Sequence, residues 1–270
     1  GVIGIIVPWN FPVMLSMGPL TTAIAAGNGA MLKMSEFTPA TNTVLRKMLA
    51  TIFAPTEVEL VEGEADVAAA FSALPFDHIL FTGSTVVGRH VMRAAADNLT
   101  PVTLELGGKS PAIIAPDVPI DTAVERLIFG KCLNAGQICV APDYVLCPAE
   151  KVDAFIAAYQ RRFNKMYPKF DTNQDYGNII NDRQYQRLLA VLEDAKAKGA
   201  TVTSAIDGPI STTQRKIATQ LVTHTTDDML IMQDEIFGPL LPIISYQSID
   251  EAIGYINRND RPLALYLMSF

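Results

Sequence analysis

The sequence has few cysteines, few histidines and no long apolar run, and each shortage excludes a class of protein. The 3 cysteines, Cys132, Cys139 and Cys147, do not suggest a disulfide scaffold and are typical of a reduced cytoplasmic protein. The 3 histidines are isolated from one another and from the cysteines, so we predict no metal site. No apolar run approaches the ~18 to 20 residues of a membrane span, and no signal peptide is recognisable.

Positive charge is also in deficit. The chain carries 21 Lys and Arg against 28 Asp and Glu, which gives a net charge of -7. This balance argues against nucleic acids and anionic membrane surfaces as partners. Apolar residues are plentiful, at 49% against 18% charged, so the 270 residues can bury a large core in one or two domains.

Apolar strands alternate with helices along the whole chain. We predict strands near residues 1–7, 30–34, 57–61, 78–81, 103–106, 112–115, 144–147, 200–203, 243–246 and 263–270. We predict helices near residues 20–26, 40–53, 66–74, 85–96, 122–133, 149–166, 182–198 and 249–257, with a surface loop at 205–213. This alternation predicts an α/β fold with a parallel sheet, whose ligands bind at the carboxyl ends of the strands.

Two groups of polar residues follow strands in the first part of the chain. Lys33, Ser35 and Glu36 leave one strand, and Gly83-Ser84 leaves another just before a helix. The N-terminus of a helix suits a pyrophosphate, and Lys33 with Glu36 could bind ribose hydroxyls, so a dinucleotide is one interpretation. The GxGxxG fingerprint is absent, and plain capping of the helix by Ser84 is the other interpretation.

A carboxylate stands out in the segment Thr103-Leu-Glu-Leu106. If the side chain of Glu105 is buried, burial raises its pKa toward the range of a general base. If it belongs to an edge strand, it is simply solvated. Both interpretations remain open from the residues alone.

The thiol of Cys139 occupies the junction between an apolar helix and a strand that begins at Tyr144. Such a junction leaves a thiol accessible, and thiol chemistry depends on access as well as on the thiolate fraction. Burial in the core is the alternative, because free cysteine is among the most buried residue types.

Five segments then resemble, in order, the signature motifs of the aldehyde dehydrogenase superfamily. They are Pro8-Trp-Asn-Phe-Pro12, Phe81-Thr-Gly-Ser-Thr85, Glu105-Leu-Gly-Gly-Lys-Ser-Pro111, Gly136-Gln-Ile-Cys139 and Glu235-Ile-Phe-Gly-Pro239. The continuations Cys139-Val-Ala-Pro-Asp-Tyr144 and Arg261-Pro-Leu-Ala-Leu-Tyr266 further resemble the class 3, fatty-aldehyde and coniferyl aldehyde dehydrogenase branch. Met34 departs from the pattern, since many members have proline there.

The resemblance implies a fold and a division of labour. It implies an aldehyde-dehydrogenase-like α/β fold, with a partial Rossmann-type NAD(P)-binding domain over residues 1–106 and an α/β catalytic domain over 107–270. Cys139 would attack an aldehyde, Asn10 would help hold the oxyanion, and Glu105 would activate the water that hydrolyses the thioester. The cofactor would be NAD, with NADP possible. Its contacts would come from Trp9, Lys33, Ser35, Glu36, Gly83, Ser84, Leu106, Glu235 and Phe237.

The resemblance also implies alternative functions, a class of substrate and an oligomeric state. A relative that resolves the thioester with coenzyme A is one alternative, which Glu105 argues against, and a non-catalytic protein that reuses the fold is another. The expected substrate is a hydrophobic or aromatic aldehyde, and the full-length protein is expected to be a homo-oligomer, a dimer. Because strands open and close the sequence, we expect a fragment of a longer protein. We expect that fragment to fold, to turn over aldehydes poorly and to self-associate.

Overall fold

The structure, a computed structural model, describes residues 1–207 and 214–270. Its backbone forms two compact units, a first unit over Gly1–Gly107 and a second unit over Gly108–Phe270. Most of the surface loop predicted at 205–213 lies outside the described residues. Within the described ranges, no helix combines the length and the apolar character that crossing a membrane requires.

The first unit is a parallel sheet covered by helices. Its strands are β1 (Val2–Ile6), β2 (Gly29–Lys33), β3 (Val58–Val61), β4 (His78–Thr82) and β5 (Val102–Glu105). Its helices are α1 (Pro12–Ala25), α2 (Pro39–Ala50), α3 (Ala65–Ser72) and α4 (Thr85–Ala96). The strand order is β3-β2-β1-β4-β5, and every pair is parallel. The prediction of a Rossmann-type parallel sheet is therefore confirmed.

Both faces of this sheet are apolar because helices cover both. Successive residues of a strand point to opposite faces, so Ile5 packs in the cluster that includes Leu20 of α1 and Leu45 of α2. Ile6 belongs to the cluster on the other face, with Phe71 of α3 and residues of α4. Burial on both sides explains why β1 reads as a continuous apolar run instead of an alternating one.

Helix α1 begins well before the predicted start at residue 20. It runs over Pro12–Ala25, with Pro12 in the first turn, where the missing N–H costs nothing, and Pro19 inside the helix. The Gly18-Pro19 pair is a strong local signal for a break. Packing overrides it, because Ser16 and Leu20 are both buried.

The second unit is a larger mixed sheet with helices. Its strands are β6 (Pro111–Ile114), β7 (Tyr144–Pro148), β8 (Thr201–Ser204), β9 (Gln220–Thr223), β10 (Leu240–Tyr246) and β11 (Tyr266–Met268). Its helices are α5 (Ile120–Cys132), α6 (Val152–Met166), α7 (Asp182–Ala197), α8 (Leu230–Gln233) and α9 (Ile249–Asn257). The strand order is β11-β6-β7-β10-β9-β8, and only the β8–β9 pair among these is antiparallel. Strand β9 was not predicted from the sequence.

Candidate active site

In the first unit, the sequence-predicted residues gather at the carboxyl edge of the sheet. Trp9 and Asn10 follow β1, and Gly83 and Ser84 follow β4. Strands β1 and β4 are neighbours at the point where the strand order reverses. In open α/β sheets the crevice at such a switch point is where dinucleotides bind. The residues predicted to contact a dinucleotide therefore lie at the edge where this topology places such ligands, and the binding itself stays a prediction.

Lys33 ends β2 beside this edge, but its ammonium group has structural partners. The side chain is 2% exposed, and Nζ donates to the carbonyl oxygens of Met34 at 2.8 Å and Gly63 at 2.7 Å. Burial lowers the pKa of Lys33, while the nearby carboxylate of Glu36 opposes that shift. Ser35 is buried as well, whereas Glu36 is exposed. Two of the three donors of Lys33 thus hold the β2 and β3 ends, a role that sequence reasoning missed.

The turn at Gly83-Ser84 caps α4. The Ser84 side chain accepts a hydrogen bond from the Val87 amide at 3.4 Å, so the capping interpretation is confirmed. A Cβ at residue 83 would lie 2.6 Å from the Phe81 ring, which explains the glycine. Leu106 lies close to the same helix, because a Cβ at Gly88 would meet its side chain at 2.9 Å. Binding of a pyrophosphate at this turn stays a prediction.

Glu105 is the last residue of β5, at one end of the sheet. Its side chain is exposed, so of the two interpretations left open by the sequence, the buried carboxylate is wrong. The alternative, a solvated carboxylate on an edge strand, describes it correctly. The reason is the position of Glu105 on the strand. Successive side chains of a strand point to opposite faces, so Leu104 packs against the core while its neighbour Glu105 points away from it.

The three thiols of the second unit differ in access. Cys132 and Cys147 are buried, and burial raises their pKa values to about 11 and about 12. Cys139 is only partly buried. Cys139 is therefore the most accessible of the three thiols, and its role as nucleophile stays a prediction.

Cys139 lies in a loop, residues 133–143, that we call the thiol loop. Asn134 and Ala135 adopt left-handed conformations with φ of 50° and 53°, and Gly136 follows with φ of 75°. The buried side chain of Gln137 donates to the carbonyls of Asn134 at 2.9 Å and Asn178 at 3.1 Å. Left-handed non-glycine residues persist only where surrounding contacts hold them, so the loop is rigidly specified.

The sequence-predicted carboxylate of the second unit, Glu235, lies in the segment of residues 234–239, which we call the glutamate segment. Burial raises the pKa of Glu235 to about 7, and a hydrogen bond from the Gly108 amide opposes the shift. Phe237 has a left-handed backbone with φ of 47°. The thiol loop and the glutamate segment touch, since a Cβ on Gly136 would lie 2.5 Å from the carbonyl oxygen of Gly238.

Asp143 connects these two segments as part of a largely buried ion pair with Lys109, and sequence reasoning missed it. Asp143, 3% exposed, pairs with Lys109 and accepts the Ile236 amide at 2.8 Å. Lys109 also donates to the carbonyls of Ile231 at 2.8 Å and Asp234 at 3.0 Å. Both charged residues lie inside the quoted motif segments, but sequence spacing does not indicate that they pair.

The family comparison agrees with the motifs. The family described as "Aldehyde dehydrogenase family" matches residues 1–269. A probable coniferyl aldehyde dehydrogenase from Pseudomonas aeruginosa is 55% identical over 271 residues, which are 100% of this chain and 56% of that protein. The resemblance to the coniferyl aldehyde dehydrogenase branch is thus confirmed. The chain spans just over half the length of the curated relatives it matches.

Solved structures of similar chains share the fold. The substrate-bound state of AldH from Staphylococcus aureus is 42% identical with a TM-score of 0.94, over 100% of this chain and 58% of that one. A betaine aldehyde dehydrogenase from the same organism, in complex with NAD+, is 30% identical with a TM-score of 0.89, over 100% of this chain and 55% of that one.

We predict that Gly136→Ala is more damaging than a glycine substitution in open space. Gly136 combines a φ of 75° with a Cβ position 2.5 Å from a backbone oxygen, which cannot move without shifting the glutamate segment. We expect a loss of at least about 3 kcal/mol in the free energy of unfolding, measured by urea denaturation. Gly199 has a φ of 96° and nothing within 4 Å, so Gly199→Ala should cost only about 1 to 2 kcal/mol. Equal losses would show that the contact at Gly238 is not tight.

We predict a pH-dependent stability difference between the protein and Glu235→Gln. The pKa of Glu235 is raised from its usual 4.5 to about 7, so the carboxyl group favours the folded state while it is protonated. That contribution is complete below pH 4.5 and is lost as pH rises through about 7. As pH rises across this window, the free energy of unfolding of the parent should fall relative to that of the variant, by at most about 3 kcal/mol. Urea denaturation at several pH values tests this, and a constant difference would contradict it.

Proposed function

This chain belongs to the aldehyde dehydrogenase family, and we propose that the protein oxidises an aldehyde to a carboxylic acid with Cys139 as nucleophile. One observation carries the proposal: of the three cysteines, Cys139 is the one that is not buried, and it lies on a loop with an ordered, left-handed backbone. Such a loop presents a thiol at a fixed position, as covalent catalysis requires.

We infer that the reaction begins with attack of the Cys139 sulfur on the aldehyde carbon. The nucleophile is the thiolate: its sulfur forms the carbon–sulfur bond, the carbonyl π bond breaks, and the negative charge passes from sulfur to oxygen, which gives the thiohemiacetal oxyanion. The Asn10 amide group and the Cys139 backbone N–H are the proposed donors to this oxygen. Preorganised donors of this kind contribute about 3 to 4 kcal/mol each to the transition state.

Hydrolysis of the thioester completes the reaction. A bound oxidised nicotinamide would supply the acceptor for the hydride of the former aldehyde carbon, which would turn the thiohemiacetal into the thioester, and Glu235 and Phe237 would hold the nicotinamide end. Glu105 would take a proton from a water molecule, whose oxygen attacks the thioester carbon and releases the acid and the Cys139 thiolate. Because Glu105 is exposed, its role as base depends on its position at the end of β5 and not on an apolar environment.

The carboxyl edge of the first unit supports a dinucleotide. The strand order reverses between β1 and β4, and the residues after these strands, Trp9 and Ser84, are those proposed to contact the pyrophosphate. Ser84 opens α4, whose N-terminal amides suit phosphate oxygens. Glu36 is exposed and available for the adenosine ribose. Glu235 and Phe237 are proposed at the nicotinamide end.

The substrate class follows from similarity and stays part of the proposal. A relative from Pseudomonas aeruginosa, 55% identical, is a probable coniferyl aldehyde dehydrogenase. We therefore propose a hydrophobic or aromatic aldehyde. A panel of aromatic and aliphatic aldehydes, followed by NADH absorbance with the full-length protein, would identify the substrate. A homodimer and a cytoplasmic location remain predictions.

We predict that Glu105→Gln in the full-length protein separates acylation from hydrolysis. Without the base, the thioester should form and release about one NADH per active site in a burst, after which turnover falls by at least about 100-fold. Rapid mixing with aldehyde and NAD, followed by absorbance, measures both phases. An unchanged steady-state rate would remove Glu105 from the mechanism.

Cys139→Ala is the control for that burst. We expect this variant to lose both the burst and turnover while it still binds the nucleotide, because only the nucleophile is absent. Iodoacetamide should label Cys139 in the parent. Full activity in the variant, with Cys132 or Cys147 as the labelled residue, would refute the assignment of the nucleophile.

We predict a preference for NAD over NADP that depends on Glu36. A carboxylate that binds the adenosine 2′-hydroxyl repels a 2′-phosphate, so kcat/KM should be at least about tenfold higher with NAD. Glu36→Gln should narrow this ratio by about tenfold, since it removes the charge and keeps the shape. Glu59→Gln, on β3 of the same unit, should leave the ratio unchanged. Equal efficiency with both cofactors in the parent would place Glu36 away from the ribose.

A further inference from the structure

We propose that Asp143 and Arg187 are positioning residues that hold Glu235 and Phe237 in place. The inference rests on the function proposed above, in which these two residues bind the nicotinamide end of the cofactor. Asp143 and Arg187 are the residues that would hold the backbone at that end of the site. All four residues belong to the second unit.

The main chain on either side of Ile236 is hydrogen-bonded to two charged side chains. The peptide that joins Glu235 to Ile236 donates its N–H to Oδ2 of Asp143 at 2.8 Å. The peptide that joins Ile236 to Phe237 accepts a hydrogen bond from Nη2 of Arg187 at 2.5 Å. Two consecutive peptide groups are therefore held by different side chains, one by Asp143 and the next by Arg187. The orientation of these peptide groups determines the directions in which the side chains of Glu235 and Phe237 leave the backbone.

Each partner is itself held. Asp143 pairs through Oδ1 with Lys109, and its own amide donates to the Ser110 carbonyl at 2.8 Å. Arg187 extends from α7, where its Nε donates to Oε1 of Gln184 at 2.8 Å. Charge-assisted hydrogen bonds from such fixed groups are stronger and more directional than neutral ones.

The side chain of Ile236 anchors the same point from the core. It is 1% exposed and belongs to the main hydrophobic cluster of the second unit. With the side chain buried and both adjoining peptides hydrogen-bonded, the left-handed turn at Phe237, φ 47°, has no freedom to relax. The glutamate segment is therefore preorganised, and less ordering is required when a ligand binds.

Asp143 and Arg187 differ in one respect that an experiment can use. Asp143 ends the thiol loop, four residues after Cys139, so its carboxylate joins that loop to the glutamate segment. Arg187 bonds to the glutamate segment and to its own helix. Loss of Asp143 should disturb both the nucleotide site and the thiol, whereas loss of Arg187 should disturb the nucleotide site alone.

The test compares variants of the full-length protein in NAD binding, in kinetics and in the rate at which iodoacetamide labels Cys139. We expect Asp143→Asn and Arg187→Met each to raise the Kd for NAD by about tenfold. Arg187→Met should raise the KM for NAD with kcat at saturation unchanged within about threefold, because ground-state binding is what it loses. Asp143→Asn should in addition change the labelling rate by at least about threefold. Arg187→Lys should restore part of the affinity.

The chain offers a matched control for Asp143. Asp194 also accepts one backbone amide, that of Leu230 at 2.7 Å, and pairs with one lysine, Lys198 at 2.8 Å. Its partners lie outside the glutamate segment. Asp194→Asn should lower stability yet leave the Kd for NAD within about twofold of the parent, which separates positioning from a general loss of stability.

The outcomes separate the two proposals. If the parent does not oxidise aldehydes with NAD, or if Glu235→Gln leaves the Kd for NAD unchanged, the proposed function or the role of Glu235 fails. If Glu235→Gln weakens binding but folded Asp143→Asn and Arg187→Met bind NAD as the parent does, the positioning role is overturned. Should Asp143→Asn fail to fold, the two Arg187 variants decide, and parental affinity in Arg187→Met overturns the role.

Discussion

The buried ion pair of Lys109 with Asp143 is the interaction on which the rest of the candidate site in the second unit depends. Removing two charges from water costs several kcal/mol, which attraction offsets only when the remaining donors and acceptors are also satisfied. Here the main chain satisfies them: Lys109 donates to the carbonyls of Ile231 and Asp234, and Asp143 accepts the Ile236 amide. Removal of either partner would leave the other charge without its ion pair, so the frame depends on both residues.

The thiol loop takes its conformation from contacts with this fixed frame. A left-handed alanine costs about 1 to 2 kcal/mol, so Ala135 would relax in an isolated peptide. In the folded unit, Gln137 bonds to the carbonyls of Asn134 and Asn178, and Gly136 lies too close to the Gly238 carbonyl for any side chain. Contacts around the loop thus maintain the left-handed backbone at Asn134 and Ala135. Cys139 lies in the turn that follows these residues.

The two carboxylates to which we assign roles, one in each unit, have opposite environments. Glu105 ends an edge strand and is exposed, whereas burial raises the pKa of Glu235 to about 7. Environment, and not residue type, decides what a carboxyl group can do in a site. An exposed carboxylate is open to water, which suits the proposed hydrolysis. A desolvated carboxylate gains more from a hydroxyl donor that replaces its lost solvent, which suits the proposed ribose contact.

The sequence by itself determined most of the α/β order and indicated which thiol is accessible. Periodicity reports burial directly, so β1 and α9 were predictable from apolar spacing alone. Tertiary structure decided the rest. Packing of buried residues keeps α1 helical across Pro19. The position of β5 at the end of the sheet leaves Glu105 exposed. Lys109 and Asp143 pair although 34 residues separate them in the sequence. The local spacing of apolar residues cannot predict such contacts, because they form only when the folded sheet brings distant segments within a few ångströms of each other.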